Sequence, residues 1–429
     1  METLLERARG SALEVTVGCM DLFNVTTPLS SHTGQIGRLE FSQTAWETIQ
    51  MFSEIVSGPL PLLRALEIRT AYEEDPGLLT CPPLFNNAVN LKHYRFYSNS
   101  NWSPFLNRFH FSNLTFFHLS TSPSEIFRAS ELLDFLEASP MLRTVHLEVI
   151  AAISLYRIPR RNVVVLPNLE TFELVVSDGR SGYKMAAQVS CPSARVVSLT
   201  HEIEGDDTIP EEIFPAAGSW DAIASQYSRS PVEEASLDIK TIPILICKLS
   251  FLSHGPNTLE LYFQVGNQDD GQDFGIPSVE TRNRVFSQAT RTVQNHPQVA
   301  NLRRLHICHN NRSVGTTGVP YLASDVSRLF KSVGLLDQLV ISRSDLRPYF
   351  YSFLEGPTVF PKIKELTISH PVYLFPTEYK TVIVGFARRQ HTLGIPLERV
   401  IICGGTLPTG MEEELRQWVV SVEHRYEES

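Results

Sequence analysis

One pattern of apolar and polar positions recurs along this chain: a large apolar residue, two variable residues, a second apolar residue, one polar residue and a third apolar residue. It runs Leu63 to Ile68, Leu91 to Phe96, Leu114 to Leu119, Leu142 to Leu147 and Leu169 to Leu174, and then Leu302 to Ile307, Leu336 to Ile341 and Ile363 to Ile368. The last two apolar residues of each phrase are two apart, so on a strand they share one face and the residue between them lies on the other. Each phrase therefore predicts a short strand with one buried face. Pro or Asn stands just ahead of many of them, as at Pro61, Asn90, Asn113, Pro140, Asn168 and Pro361, where such residues end a helix and lead into extended chain. Between the strands the period changes. Trp46, Ile49, Phe52 and Val56 follow helical spacing, as do Leu132, Phe135 and Leu136 after a Ser130 cap, Val285, Ala289 and Val293, and Leu322, Val326, Leu329 and Val333.

The steps from Leu63 to Leu91, Leu114, Leu142 and Leu169 are 28, 23, 28 and 27 residues, within the roughly 20 to 29 of a leucine-rich repeat. A unit of this kind buries its apolar face only by stacking on neighbours. The expected fold is α/β: a leucine-rich-repeat-like solenoid, a curved, mostly parallel sheet with helices on its convex side. One such solenoid is expected over 1–429, with N-terminal repeats over 12–200 and C-terminal repeats over 296–408. Over 201–295 the phrase fades. There, Leu237–Ile239 and Leu259–Leu261 suggest irregular repeats, separated by acidic insertion loops at Glu202–Glu212 and Gly266–Gly275. At the end, Thr409 and Glu412 form a capping-box pattern, and Leu415, Trp418, Val419 and Val422 follow helical spacing, so a capping helix is expected over 409–429.

Composition narrows the function. A formal net charge of -10 argues against general binding to nucleic acid or an anionic membrane, both of which need a basic stripe. The six cysteines, Cys19, Cys81, Cys191, Cys247, Cys308 and Cys403, are scattered with no C-x-x-C pair, which fits a reducing, intracellular compartment, cytoplasmic or nuclear. Met1–Gly10 lacks the apolar core of a signal peptide. A monomer without membrane attachment is expected.

The segments Leu132–Leu147 (LLDFLEASPMLRTVHL) and Gly394–Val400 (GIPLERV), with the opening Leu5–Val15 (LERARGSALEV), resemble the fungal F-box proteins with leucine-rich repeats. That resemblance implies substrate recognition for a cullin-RING ubiquitin ligase, the F-box binding the ligase adaptor and the repeats choosing the substrate. No segment ahead of the first repeats reads as an F-box, so the adaptor is expected as a partner only if an F-box is supplied upstream. The alternative is a free-standing repeat scaffold, or a truncated product, with no ubiquitin link.

Common catalytic signatures are absent: there is no Gly-rich loop followed by Lys-Ser/Thr, no G-x-S-x-G elbow and no H-E-x-x-H pair. No enzyme activity, cofactor or metal is expected, although His306, Cys308 and His309 lie close together in sequence. The sharper expectation concerns the strand face opposite the core. Its positions are Glu40, Glu67, Arg95, His118, His146, Glu173, Ser198, His306, Val340 and Thr367, and two residues further along each strand Arg69, Tyr97, Ser120 and Glu148. Of these, Glu67, Arg69, Arg95, Tyr97, His118, His146, Glu148, Glu173 and His306 are the candidate contacts for a protein partner. Arg and aromatic side chains of this kind dominate the energy of protein interfaces.

Overall fold

A computed structural model describes residues 11–18, 29, 31–55, 59–70, 88–98, 111–121, 127–149, 153–154, 163–177, 179–203, 213–215, 220–224, 231–240, 245–253, 258–265, 279–310, 323–342, 362–374 and 377–426. The chain is α/β, built on mostly parallel sheet, and divides into two compact units, Met1–Leu199 and Thr200–Ser429.

In the first unit the strands are β1 (Leu13–Val17) and β2 (Ile36–Thr44), followed by helix α1 (Trp46–Ile55). Then come β3 (Ala65–Thr70), β4 (His93–Ser98) and β5 (Phe116–Thr121), helix α2 (Ala129–Glu137), β6 (Thr144–Val149), β7 (Thr171–Val176), helix α3 (Gly179–Ala186) and β8 (Val196–Ile203), in which the boundary at Leu199 falls. They lie side by side in chain order, and every pair from β1 to β7 is parallel. Chain order with parallel pairing means that each strand is followed by a return across the sheet, as the repeat spacing predicts. Ser130 falls in the first turn of α2 rather than ahead of it as a cap.

The same local design serves the phrases of this unit. The amide of the first apolar residue closes a tight turn on the carbonyl three residues earlier, as Leu63 to Leu60, Leu91 to Ala88, Leu114 to Phe111, Leu142 to Ser139 and Leu169 to Leu166. The next two amides then share one carbonyl of the preceding strand's lead-in: Lys92 and His93 donate to Arg64, Thr115 and Phe116 to Lys92, and Arg143 and Thr144 to Thr115. Side chains ahead of the phrase tie each turn to the one before. Asn90 Nδ2 donates to the Pro61 carbonyl at 2.8 Å, Asn113 to Val89 at 3.2 Å, Asn168 to Pro140 at 3.1 Å, and Ser193 Oγ to Pro167 at 2.6 Å.

Register places the apolar positions in rows. Leu39, Leu66, Tyr94, Phe117, Val145 and Phe172 face one another across six strands, and Phe41, Ile68, Phe96, Leu119, Leu147 and Leu174 form the next row. All twelve are buried. Helix α2 closes part of this core through Leu132, Leu133, Phe135 and Leu136, with Phe135 against Phe117 at a ring separation of 4.6 Å.

The second unit contains β9 (Val232–Lys240), β10 (Leu245–Ser253), β11 (Thr258–Val265), helix α4 (Val279–Gln294), β12 (Arg304–Asn310), helix α5 (Ala323–Ser332), β13 (Gln338–Ser342) and β14 (Glu365–Leu374). Helix α6 (Thr377–Thr392), β15 (Arg399–Thr406), helix α7 (Met411–Leu415) and β16 (Ser421–Arg425) complete it. Their order is β11-β10-β9-β12-β13-β14-β15-β16. From β9 through β12 to β16 all neighbours are parallel, but β9, β10 and β11 form an antiparallel meander. The expected strands at Leu237–Ile239 and Leu259–Leu261 exist, with Leu237, Leu249 and Leu261 in one buried row. The linkage between them differs from a repeat. Only residues 241–244 and 254–257 join the three strands, too few for a parallel crossover, so the chain must double back. Most of the two acidic loops, including Gly266–Gly275, lies outside the described residues.

The expected capping helix over 409–429 is corrected. Gly410 adopts φ 72° and α7 ends at Leu415, with no side-chain cap bond from the expected Thr409 start. The chain then forms β16, parallel to β15, with Val400 opposite Val422 and Ile402 opposite His424. Val420 and Ser421 donate to the carbonyls of Leu397 and Glu398, one each, where the earlier phrases share a single carbonyl.

Candidate binding face

The polar positions of the first unit fall into one line. Glu40, Glu67, Arg95, His118, His146 and Glu173 stand opposite one another across β2 to β7. Arg69, Tyr97, Ser120 and Glu148 form a second row across β3 to β6. The sheet therefore brings together eight of the nine candidate contacts. His306 lies in the second unit, in a row with Ser236, Val340 and Thr367, where its Nε2 is 3.0 Å from Ser342 Oγ. Its pKa is lowered, chiefly by burial.

Along the first row the side chains are coupled. Glu67 is only 5% exposed, unlike the open contact expected of it. Its Oε1 accepts from Arg69 Nε at 2.8 Å and lies 2.7 Å from Nη2, while Arg38 and Arg95 approach Oε2 at 3.6 Å. Arg69 in turn lies over the Tyr97 ring at 4.7 Å, and Arg95 over Phe116 at 5.2 Å. These are stacking distances for a guanidinium on an aromatic face. Glu67 thus acts beneath the surface as the counter-charge that holds the arginines.

Next in line, the Tyr97 hydroxyl lies 3.4 Å from His118 Nδ1, with the two rings edge-to-face at 4.9 Å. Burial first, and neighbouring His146 next, push the His118 pKa below its ordinary value, so near pH 7 the ring is neutral and Nδ1 can accept the tyrosine proton. The His118 and His146 rings are 5.7 Å apart, and His146 Nδ1 meets Glu173 Oε2 at 2.5 Å. The result is a chain of contacts, arginine to tyrosine to paired histidines to carboxylate, on a hydrogen-bonded sheet.

A third row, not among the expected contacts, lies on the same face: Arg38, Ala65, His93, Phe116, Thr144 and Thr171. The signal was present, because each residue precedes the central polar position by two and must share its side of the strand. His93 and Phe116 have ring centroids 5.8 Å apart, and Phe116 and His146 5.6 Å, so this row packs against the first.

Among the described residues, no group of three His, Cys, Asp or Glu side chains is placed to hold a metal ion. Cys191 and Cys247 are free and buried, and burial raises both thiol pKa values. Cys308 and Cys403 are free and partly exposed, while Cys19 and Cys81 lie outside the described residues. No described helix is long and apolar enough to cross a membrane. Compared with known proteins, the chain matches no family model and no curated protein.

Proposed function

We propose that this chain is a non-enzymatic protein–protein interaction module of leucine-rich-repeat form, and that the exposed face of β2 to β7 receives the partner. The observation that carries this reading is the in-register row from Glu40 to Glu173, backed by Arg69, Tyr97 and Glu148. A parallel sheet held by main-chain bonds fixes these side chains before a partner arrives, which lowers the ordering cost of association. Arg, Tyr and His supply contact area and directional polar groups together. By its resemblance to F-box leucine-rich-repeat proteins, the module serves as the substrate-recognition part of a cullin-RING ubiquitin ligase inside the cell, acting as a monomer. The ligase adaptor joins only through an F-box supplied upstream.

The test compares the tagged chain with an Arg95→Ala/Tyr97→Ala/His118→Ala variant, each purified from the same cells and read by quantitative mass spectrometry. A defined set of proteins should accompany the parent and vanish from the variant, while the variant stays folded with a cooperative unfolding transition, since substitutions at exposed and half-exposed positions usually stay within about 0.5 kcal/mol each. Equal recovery from both chains would remove this face from the account. Recovery of the ligase adaptor would support the ubiquitin link; partners without it would favour a free-standing scaffold.

A further inference from the structure

Beside the central row, Arg38, Ala65, Leu66, Glu67, His93 and Arg95 line a half-open pocket of about 260 Å³. Its origin is one small side chain. In the row Arg38, Ala65, His93, Phe116, Thr144 and Thr171, only position 65 stops at Cβ, so a gap opens between the long side chains of β2 and β4. The pocket falls short of the roughly 300 to 1,000 Å³ of drug-sized ligand sites. Its scale is that of one amino-acid side chain, head group and stem together.

Charge decides which head group. Three guanidiniums, Arg38, Arg69 and Arg95, surround two carboxylates, Glu40 and Glu67. Arg69 takes up Glu67 Oε1 at 2.7 and 2.8 Å. Arg38 and Arg95 stay at 3.6 Å from Oε2, and Arg38 at 3.5 Å from Glu40, beyond the roughly 2.7 to 2.9 Å of a charge-assisted hydrogen bond. Among the described residues Arg95 makes no side-chain hydrogen bond, and its guanidinium is half exposed. Two forked donors of positive charge therefore flank the gap without short acceptors, and Ala65, Leu66, Glu67 and His93 complete the wall. Forked guanidiniums match the paired oxygens of carboxylate and phosphate.

We propose that the Ala65 gap is a subsite for a single oxyanion, the carboxylate or phosphate of an acidic side chain of the partner protein. The protein source rests on the proposed function, because Glu67 and Arg95 belong to the same face; the oxyanion chemistry stands on the pocket alone. Position 65 then acts as a specificity determinant. It admits an acidic group where its neighbours in the row block one.

The probes are N-acetylglutamate N-methylamide and N-acetyl-O-phosphoserine N-methylamide, titrated into the full chain at fixed ionic strength and followed by saturation-transfer NMR. At least one should bind saturably, and the tighter of the two identifies the oxyanion. Ala65→Phe, which fills the gap without touching a charge, should abolish the signal; Ala65→Leu replaces it if the larger side chain impairs folding. Arg38→Gln/Arg95→Gln should weaken binding by about tenfold or more, the scale of losing hydrogen bonds to a charged group. Absence of saturable binding by either probe, or undiminished binding to the folded Ala65 variant, would overturn the subsite. Oxyanion binding that persists while the Arg95/Tyr97/His118 variant keeps every cellular partner would leave the subsite standing and remove its protein source.

Discussion

Glu67 shows how one residue can serve a surface without being on it. A carboxylate at 5% exposure needs compensation, and three arginines supply it. Because those arginines are half exposed, water screens the pairs and their value to stability is small; what the carboxylate fixes is where the guanidiniums point. His296 is the corresponding case in the second unit. It stacks on Phe251 at 4.7 Å and meets Trp220 at 5.4 Å, its Nδ1 accepts from the Gln298 amide at 3.1 Å, and its Nε2 has no partner among the described residues. Burial lowers its pKa from 6.5 to about 4. The folded state thus resists protonation that the unfolded chain accepts, so stability is full above pH 6.5 and is lost as pH falls toward 4. At about 1.4 kcal/mol per unit this amounts to about 3 kcal/mol. Urea unfolding of His296→Gln at pH 7.5 and pH 4.5 should show a smaller pH dependence than the parent; equal slopes would contradict the assignment.

Among the elements, the parallel strands were legible because three apolar positions at fixed spacing can be satisfied in only one way: two side chains into the core and the anchor into the turn. All eight phrases carry strands in the structure. Two regions differ from the expectation for definite physical reasons. In β16 the phrase is present as Val419, Val422 and His424, but its third apolar place holds a histidine, whose Nε2 donates toward the Gly404 and Gly405 carbonyls at 3.3 and 3.0 Å. Arg425 and Arg399 bond Glu423 beside it and hold its carboxyl down to about 2. With the phrase disguised, the helical spacing of Leu415, Trp418 and Val419 prevailed. The β9 to β11 meander escaped because its apolar alternation was visible while its direction was not, although Gly255-Pro256-Asn257 is a turn signal between β10 and β11. The Asn ladder also went beyond the expectation that these residues merely end helices. Asn90→Ala should lower stability by about 1 kcal/mol through loss of the bond to Pro61. An unchanged denaturation midpoint would show that the ladder contributes only alignment.

For the whole molecule, the sequence showed that polar strand positions would form rows, and parallel register turned that expectation into neighbours in space. It could not show coupling between those neighbours. The burial of Glu67 depends on Arg38, Arg69 and Arg95 arriving from three strands, and the gap at Ala65 is defined only by what flanks it. Spacing reports which face a residue occupies; side-chain length on adjacent strands decides whether that face is filled, charged or open. The most direct measurement is hydroxyl-radical footprinting of the chain alone and with a protein that co-purifies with it. Protection should concentrate at Tyr97, Phe116, His118 and His146, with Trp418 and Tyr426 of the second unit labelled equally in both states. Unchanged labelling of the first four residues in the complex would contradict the assignment of partner binding to this face.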